Sequence, residues 1–455
     1  MDEAKESPLA PGGFPMIGHT VRMIRNPLGL LEELSHHPSP ILKLKLGGRT
    51  TFLIKRAELA RQVLVGDYHS YDKGGPIIDA VRLFAGNGLA SCSAADHPRK
   101  RLEMQPAFER SRLAVYAATM AECATTLADS WEPGSEISFH KEAFRMFATI
   151  STKTLIAAED AEEAAEVLRV TLSDILRGAY RRVLIPVKVA HELPLPANLA
   201  YRRSQRRFNA AIHEVIKSYR SAGFQYNDVL SIIMASRNQA TGEGLTDIEV
   251  FDEIRTILAG SVETEAAILS WAIWLLTQHP KTLEALRSEV DTVLQNRPAP
   301  DNEDLTKLPY THQVIWETNR LYPPAWLISR LAVADTTLGG YRIPKGAGVV
   351  FSPYYIHRDS SIFPEPEKFL PERWGNHEIS PVQRASFMGF GAGRRKCIGD
   401  VFGNNVLAVM LATIVHRWSF VPTEEGPVRP VAGVTLEPSN LTIRIEDRRF
   451  SGPRK

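Results

Sequence analysis

Cysteine is nearly absent from this chain. Three stand in 455 residues, Cys92, Cys123 and Cys397, with no CxxC pair and no even set. That excludes a disulfide framework and a cysteine-built zinc site, and it fits a reducing, cytoplasmic setting. Net charge is nearly absent too. Lys+Arg 54 against Asp+Glu 52 leaves +2, without the basic excess that nucleic-acid binding needs. The most apolar long run, Ala259 to Leu276, is interrupted by Glu263 and Glu265, so it reads as a buried helix and no membrane span is expected. The opening Met1-Asp2-Glu3-Ala4-Lys5-Glu6 lacks the basic and then apolar order of a secretory signal. Repeats and low-complexity tracts are missing. What remains, 44% hydrophobic and 23% charged, fits a soluble globular chain with a large core. No clean linker divides it, so residues 1–455 are taken as one domain.

The chain reads as mainly α with minor β. Residues 1–20 form a proline-rich, non-helical lead-in. "LKLKLGGRTTFLI", from Leu42, turns at Gly47-Gly48 and predicts a β-hairpin. From about Asp96 to Gln295 the pattern is mostly helical. One long helix is bounded by Thr246, N-cap of the capping box "TDIE", and by His279 before Pro280. At about 1.5 Å per residue it spans roughly 50 Å. Its middle, "LAGSVETEA", suits a plain core helix poorly, because glycine costs about 1 kcal/mol there and a buried carboxylate needs a partner. After residue 330 short strands and proline-broken loops follow, then a last helix.

Between them lies "FMGFGAGRRKCIGD", residues 387–400. Arg394, Arg395 and Lys396 run into Cys397, and positive charge with a following helix N-terminus favours a thiolate. Such a thiolate serves as nucleophile, redox thiol or metal ligand. His416 and His377 are the nearest candidate bases, and neither sits in a motif. The glycines allow close passage of backbone past a flat object. One cysteine among glycines suits a large cofactor that takes a single axial ligand.

Phe390, Gly393, Arg395, Cys397 and Gly399 match F-x-x-G-x-R-x-C-x-G, the haem-binding loop that the chain shares by resemblance with the cytochrome P450 family. Three further motifs occur in that family's order. "ETNR" supplies Glu317 and Arg320, which share one helix face at i and i+3, and "PERW" supplies Arg373, the third member of a Glu-Arg-Arg network. "HPRKR" supplies His97 and Arg101, which resemble the pair that bonds haem propionates, with Arg330 and Arg395 as further candidates. Gly260-Ser261-Val262-Glu263-Thr264 resembles (A/G)-G-x-(D/E)-T, with Ser261 where the family has glycine and Glu265 where it commonly has a small hydroxyl residue. Small residues here favour a local opening of the helix, and Ser261 can bond back to a carbonyl one turn earlier.

The resemblance covers essentially the whole chain and implies the cytochrome P450 fold, a single haem domain. It implies haem b (iron protoporphyrin IX) with Cys397 as thiolate ligand, O2 as co-substrate, and Glu263 and Thr264 as the acid–alcohol pair that supplies protons. The implied activity is monooxygenation, one oxygen atom entering a C–H bond of a hydrophobic small molecule. Electrons would come from an external NAD(P)H-dependent partner of ferredoxin or flavodoxin type, docked on cations around the Cys loop that include Arg99 and Lys100. A monomer is expected. Ile77, Phe84, Leu89, Ala259, Trp326, Leu327 and Val434 are the expected substrate contacts, mostly apolar. "DKGGP", "AGNGL" and "LGGYRIP" resemble bacterial oxygenases of cyclic sesquiterpenes, which implies a terpenoid of secondary metabolism. The alternatives are a fatty-acid or polyketide hydroxylase, a peroxygenase, and a non-catalytic haem sensor. Glu263-Thr264 argues against the last two.

Overall fold

The structure is a computed structural model. It describes residues 4–158, 162–184, 191–224, 226–238, 241–375, 379–423 and 426–448, without the side chains at 76, 77, 80, 183 and 184. Two expected features, His377 and the side chain of Ile77, therefore lie outside the described residues.

The long helix runs from Asp247 to Gln278, 32 residues. Both bonds of its capping box form: the Glu249 N–H donates to Thr246 Oγ1 and the Thr246 N–H to Glu249 Oε2. Around it pack helices Phe139–Leu155, Pro196–Ala222, Pro309–Leu321 and Asp400–Arg417. One apolar cluster joins all of them and takes side chains from Phe84 to Ile445. Among the described residues no helix is long and apolar enough to cross a membrane. The carboxylates of the long helix explain this, since Glu263 and Glu265 are buried in protein rather than facing lipid.

The predicted hairpin is present. Ile41–Leu46 pairs antiparallel with Arg49–Ile54, and Gly47 and Gly48 take positive φ in the two-residue turn. It opens a five-stranded sheet whose further strands, in order, are Gly348–Phe351, Ile328–Ala332 and Tyr71–Asp72. The lead-in lies against this β region, with Ala10 N bonded to Lys43 O and His19 N to Lys45 O. One strand falls inside the stretch read as helical. Glu136–Ser138 pairs with Thr442–Asp447, which pairs in turn with Trp418–Pro422. Three residues carry no periodicity, so only the distant partner strand defines them.

The segment before His97 is held onto the long helix. Asn87 N–H donates to Asp252 Oδ2 and Leu89 N–H to Glu253 Oε2. Gly88 permits this approach, since a Cβ there would stand 2.0 Å from Thr256 Oγ1 and 2.8 Å from the Asp252 carbonyl oxygen. Glu253 also pairs with Lys100 at 3.1 Å, both side chains 2% exposed. A buried pair that loses one member leaves a bare charge, at a cost of about 3–5 kcal/mol. Lys100→Met is expected to lower unfolding free energy by roughly that amount in chemical denaturation, and Lys100→Met with Glu253→Leu to recover most of it. Equal loss in both variants would contradict this account.

Candidate active site

The carboxylate of Glu317 organises one side of the site. It is fully buried and receives Arg320 through both oxygens at 2.8 Å, Trp374 Nε1 at 2.8 Å, the Leu370 N–H at 3.1 Å and Arg373 Nε at 3.4 Å. The predicted network of Glu317, Arg320 and Arg373 is thus assembled in space. Arg320 also donates to the carbonyls of His357 and Pro366, each at 2.8 Å. His357 passes the support onward. The Met388 N–H donates to His357 Nε2 at 2.9 Å, so Nδ1 carries the proton and donates to the Arg320 carbonyl at 3.1 Å. Burial holds the imidazole down to about 3, which keeps it neutral and able to accept. The sequence offered no signal for His357, one histidine in a turn-rich stretch.

Beyond Met388 the loop 387–400 turns sharply. Gly391 and Gly393 have φ of 70° and 68°. A Cβ on Gly393 would lie 2.2 Å from the Leu64 carbonyl oxygen. The Cys397 N–H donates to the Phe390 carbonyl at 2.9 Å. Gly399 caps the helix Asp400–Arg417. Cys397 carries exposed surface, yet burial pushes its thiol up, against the Gly399 N–H and Arg101, which favour the thiolate.

The three preceding cations do not act on the thiol as their order in sequence suggested. Arg394 lies over the Tyr68 ring at 4.5 Å, and Lys396 pairs with Asp400. Arg395 donates to Asp72 Oδ1 and to the Cys92 carbonyl, both at 3.0 Å. Arg99 and Lys100, expected on a docking face, are also taken: Arg99 by Glu103 and Glu249, Lys100 by buried Glu253. Ion pairing with the long helix outweighs solvation for both.

Basic side chains from four segments meet near Cys397. His97 is buried, and desolvation with Arg395, Lys73 and Arg101 holds it down to about 4. Arg330 is buried, donates to the Ser329 carbonyl, and is held down to about 10 by burial and Arg395. Arg101 reaches the Lys396 carbonyl at 2.6 Å. Lys73, which sequence reasoning missed, is held down to about 7 by burial, then Arg330 and Arg395. As a lysine before two glycines it resembled an exposed turn. Asp72 is the one carboxylate in this group that pairs with Arg395. The guanidinium groups of Arg101, Arg330 and Arg395, set against Asp72 and beside the donors His97 and Lys73, suit an anionic ligand.

The long helix borders the same region. Its middle is buried, but Gly260 is exposed, with open space where a Cβ would project. Glu265 Oε1 lies 3.6 Å from the place of a Cβ on Gly403, which sets this stretch against the helix that follows Cys397. Glu265 is buried with an unpartnered oxygen, and burial pushes its carboxyl well up. Ser261 Oγ donates to the Ile257 carbonyl at 2.9 Å, one turn back as expected, and Thr264 Oγ1 to the Gly260 carbonyl at 2.5 Å. The helix stays continuous through this stretch, so the expected opening is absent; the hydroxyls meet carbonyls without breaking the ladder. Glu263 turns toward His140 and Glu437 rather than Thr264.

Of the expected substrate contacts, Phe84 is buried against Phe208 and Arg255, and Leu89 is buried beside it in the main core. Trp326 is buried, its indole donating to the Gly433 carbonyl at 3.2 Å. Ala259 and Leu327 are half-buried, and Val434 is exposed.

Residues 8–444 match the family model "Cytochrome P450". The chain belongs to the cytochrome P450 family, a class of haem-thiolate enzymes that use O2 and electrons from a redox partner. The chain is 37% identical over 440 residues to pentalenene oxygenase of Streptomyces avermitilis, covering 96% of this chain and 97% of that one. It is 37% identical to cyclooctatin synthase of Streptomyces melanosporofaciens, covering 97% and 95%. It is 35% identical to cyclooctat-9-en-7-ol 5-monooxygenase of the same organism, covering 94% and 90%. It is a P450 monooxygenase.

Gly393→Ala adds a methyl against the Leu64 carbonyl at a left-handed φ. Purified protein is expected to retain severalfold less haem than wild type, read as the Soret-to-protein absorbance ratio. Wild-type retention would show that the loop yields at this point.

Proposed function

We propose that this monooxygenase oxidises a C–H bond of a cyclic terpenoid, with haem b held between the long helix and the loop 387–400. The cation group carries the reading. His97, Arg101, Arg330, Arg395 and Lys73 converge near Cys397, with Asp72 as counter-charge. Two propionates would neutralise them. The guanidinium forks suit bidentate carboxylate binding, and Lys73, near neutrality alone, would regain its proton beside an anion.

Cys397 would hold the haem as its thiolate ligand in this reading. The bound haem activates O2, and its thiolate ligand favours O–O cleavage. The rest falls to the chain. The loop from Met388 to Gly399 fixes the thiol through His357 and the Glu317 network. Gly260 leaves open space beside the long helix. Thr264 holds a hydroxyl there, and Glu263 behind it holds a transferable proton. Phe84, Leu89, Ala259, Trp326, Leu327 and Val434 would surround an apolar substrate. The terpenoid class rests on the three relatives' names together with this apolar set. Electrons arrive from a ferredoxin or flavodoxin, and Arg394, exposed beside the loop, is the cation of that set with no carboxylate partner among the described residues.

The reduced protein with carbon monoxide is expected to show the strongly red-shifted Soret band of thiolate-ligated haem, and Cys397→Ala to abolish it. A wild-type band at the position of histidine-ligated haem refutes the assignment. Titration with cyclic sesquiterpenes and diterpenes is expected to convert low-spin to high-spin ferric haem. If only fatty acids do so, the terpenoid class is wrong.

A further inference from the structure

On one flank of the long helix, three acceptor atoms face one another. Glu263, on that helix, is 7% exposed, and its Oε2 has no hydrogen-bond partner. His140 begins the helix Phe139–Leu155, and Glu437 lies on the strand Leu436–Pro438. One ligand atom from each falls within 4.8 Å of the others. The histidine tautomer follows from its second partner. Ser270 Oγ gives its only proton to the Ala266 carbonyl at 2.6 Å, so at 3.2 Å from His140 Nδ1 it accepts. Nδ1 therefore carries hydrogen, and Nε2 is the nitrogen left facing Glu437 Oε2 at 3.4 Å. With Nε2 unprotonated the three are acceptors with no donor among the described residues, an arrangement that a proton or another positive species among them relieves. Exposure rises along the set, from buried Glu263 to side chains 18% exposed at His140 and 32% at Glu437.

We propose that Glu437 and His140 are proton-loading partners of Glu263, forming a relay that refills the buried acid from solvent on that flank of the long helix. The relay rests on the monooxygenase reading for its purpose, because that reaction consumes protons on the Thr264 side. The balance is one proton per passage. Solvent protonates His140 Nε2, the proton passes to Glu437 Oε2 and then to Glu263 Oε2, and Nδ1–H stays on Ser270 throughout. No electrons move. Burial and the neighbouring Glu437 push the Glu263 carboxyl up to about 7, opposed by His140 and by Arg177 of the helix Glu162–Leu184. Tyr180 of that helix also faces Glu437 and donates to the Ala432 carbonyl. On the long helix, Glu265 points instead to the side packed on Gly403. An acid with a raised folded value is protonated in the fold where the unfolded chain is ionised. Its contribution to stability is therefore present at low pH and lost as pH rises from about 4.5 to about 7.

The test is infrared titration of the protonated-carboxyl stretch in the ferric holo-protein, with Glu263→Gln identifying the band. Glu437→Gln is expected to move the midpoint down toward the ordinary glutamate range, because a like charge is removed. His140→Gln, which keeps a donor to Ser270, is expected to move it up. Both variants should release severalfold more peroxide per NAD(P)H consumed. A midpoint unmoved by either substitution overturns the relay. So does stoichiometric binding of Zn2+ or Mn2+ that removes the band at every pH, since the positive species would then be a metal ion. Loss of the red-shifted carbon monoxide band with the two opposite midpoint shifts intact would refute the haem-thiolate reading and leave the proton-sharing triad standing.

Discussion

A carboxylate without water must be met by donors, and Glu317 is met on every side. Its five donors come from Arg320, Leu370, Arg373 and Trp374, so one ionised group fixes a helix, a turn and a loop. The chain of bonds then leaves the carboxylate through Arg320 to His357 and through His357 to Met388. Phe387 is clamped between the rings of His357 and Trp374. The loop that carries Cys397 therefore starts from a point with little freedom. If Cys397 is the thiolate ligand, as proposed, this anchor is what keeps it in one place.

Charge near the loop is arranged in two opposite ways. Lys100 and Glu253 cancel in the interior and bind the His97 segment to the long helix. His97, Arg330, Lys73 and Arg395 are left crowded, each depressing or repelling its neighbours, with Asp72 alone against them. The first arrangement is complete within the protein. The second has one carboxylate among the described residues to set against its guanidinium groups, which is why the proposed reading gives it to an anionic ligand.

The long helix separates two acids that sequence places two residues apart. Glu265 points toward Gly403, its Oε2 without a hydrogen-bond partner among the described residues, whereas Glu263 points toward Glu437 and His140. Helical geometry turns successive side chains by about 100°, so residues two apart lie on nearly opposite sides. The acid–alcohol reading of Glu263 and Thr264 pairs them by sequence. In space Thr264 bonds its own backbone, and Glu263 belongs to a cluster drawn from three elements.

Local sequence alone determined the capping box at Thr246, the hairpin turn at Gly47-Gly48, the spacing of Glu317 and Arg320, and the motif around Cys397. Each rests on contacts within a few residues, where backbone geometry leaves few alternatives. The tertiary structure decided the rest. Lys73 and His357 stand in ordinary-looking turns, and Glu136–Ser138 is too short for any pattern. His140 and Glu437 lie 297 positions apart in the numbering yet 3.4 Å apart in space. The apparent purpose of Arg394, Arg395, Lys396, Arg99 and Lys100 changed once their partners were visible. Ion pairing and desolvation depend on which atoms arrive from distant segments, and no local pattern carries that information.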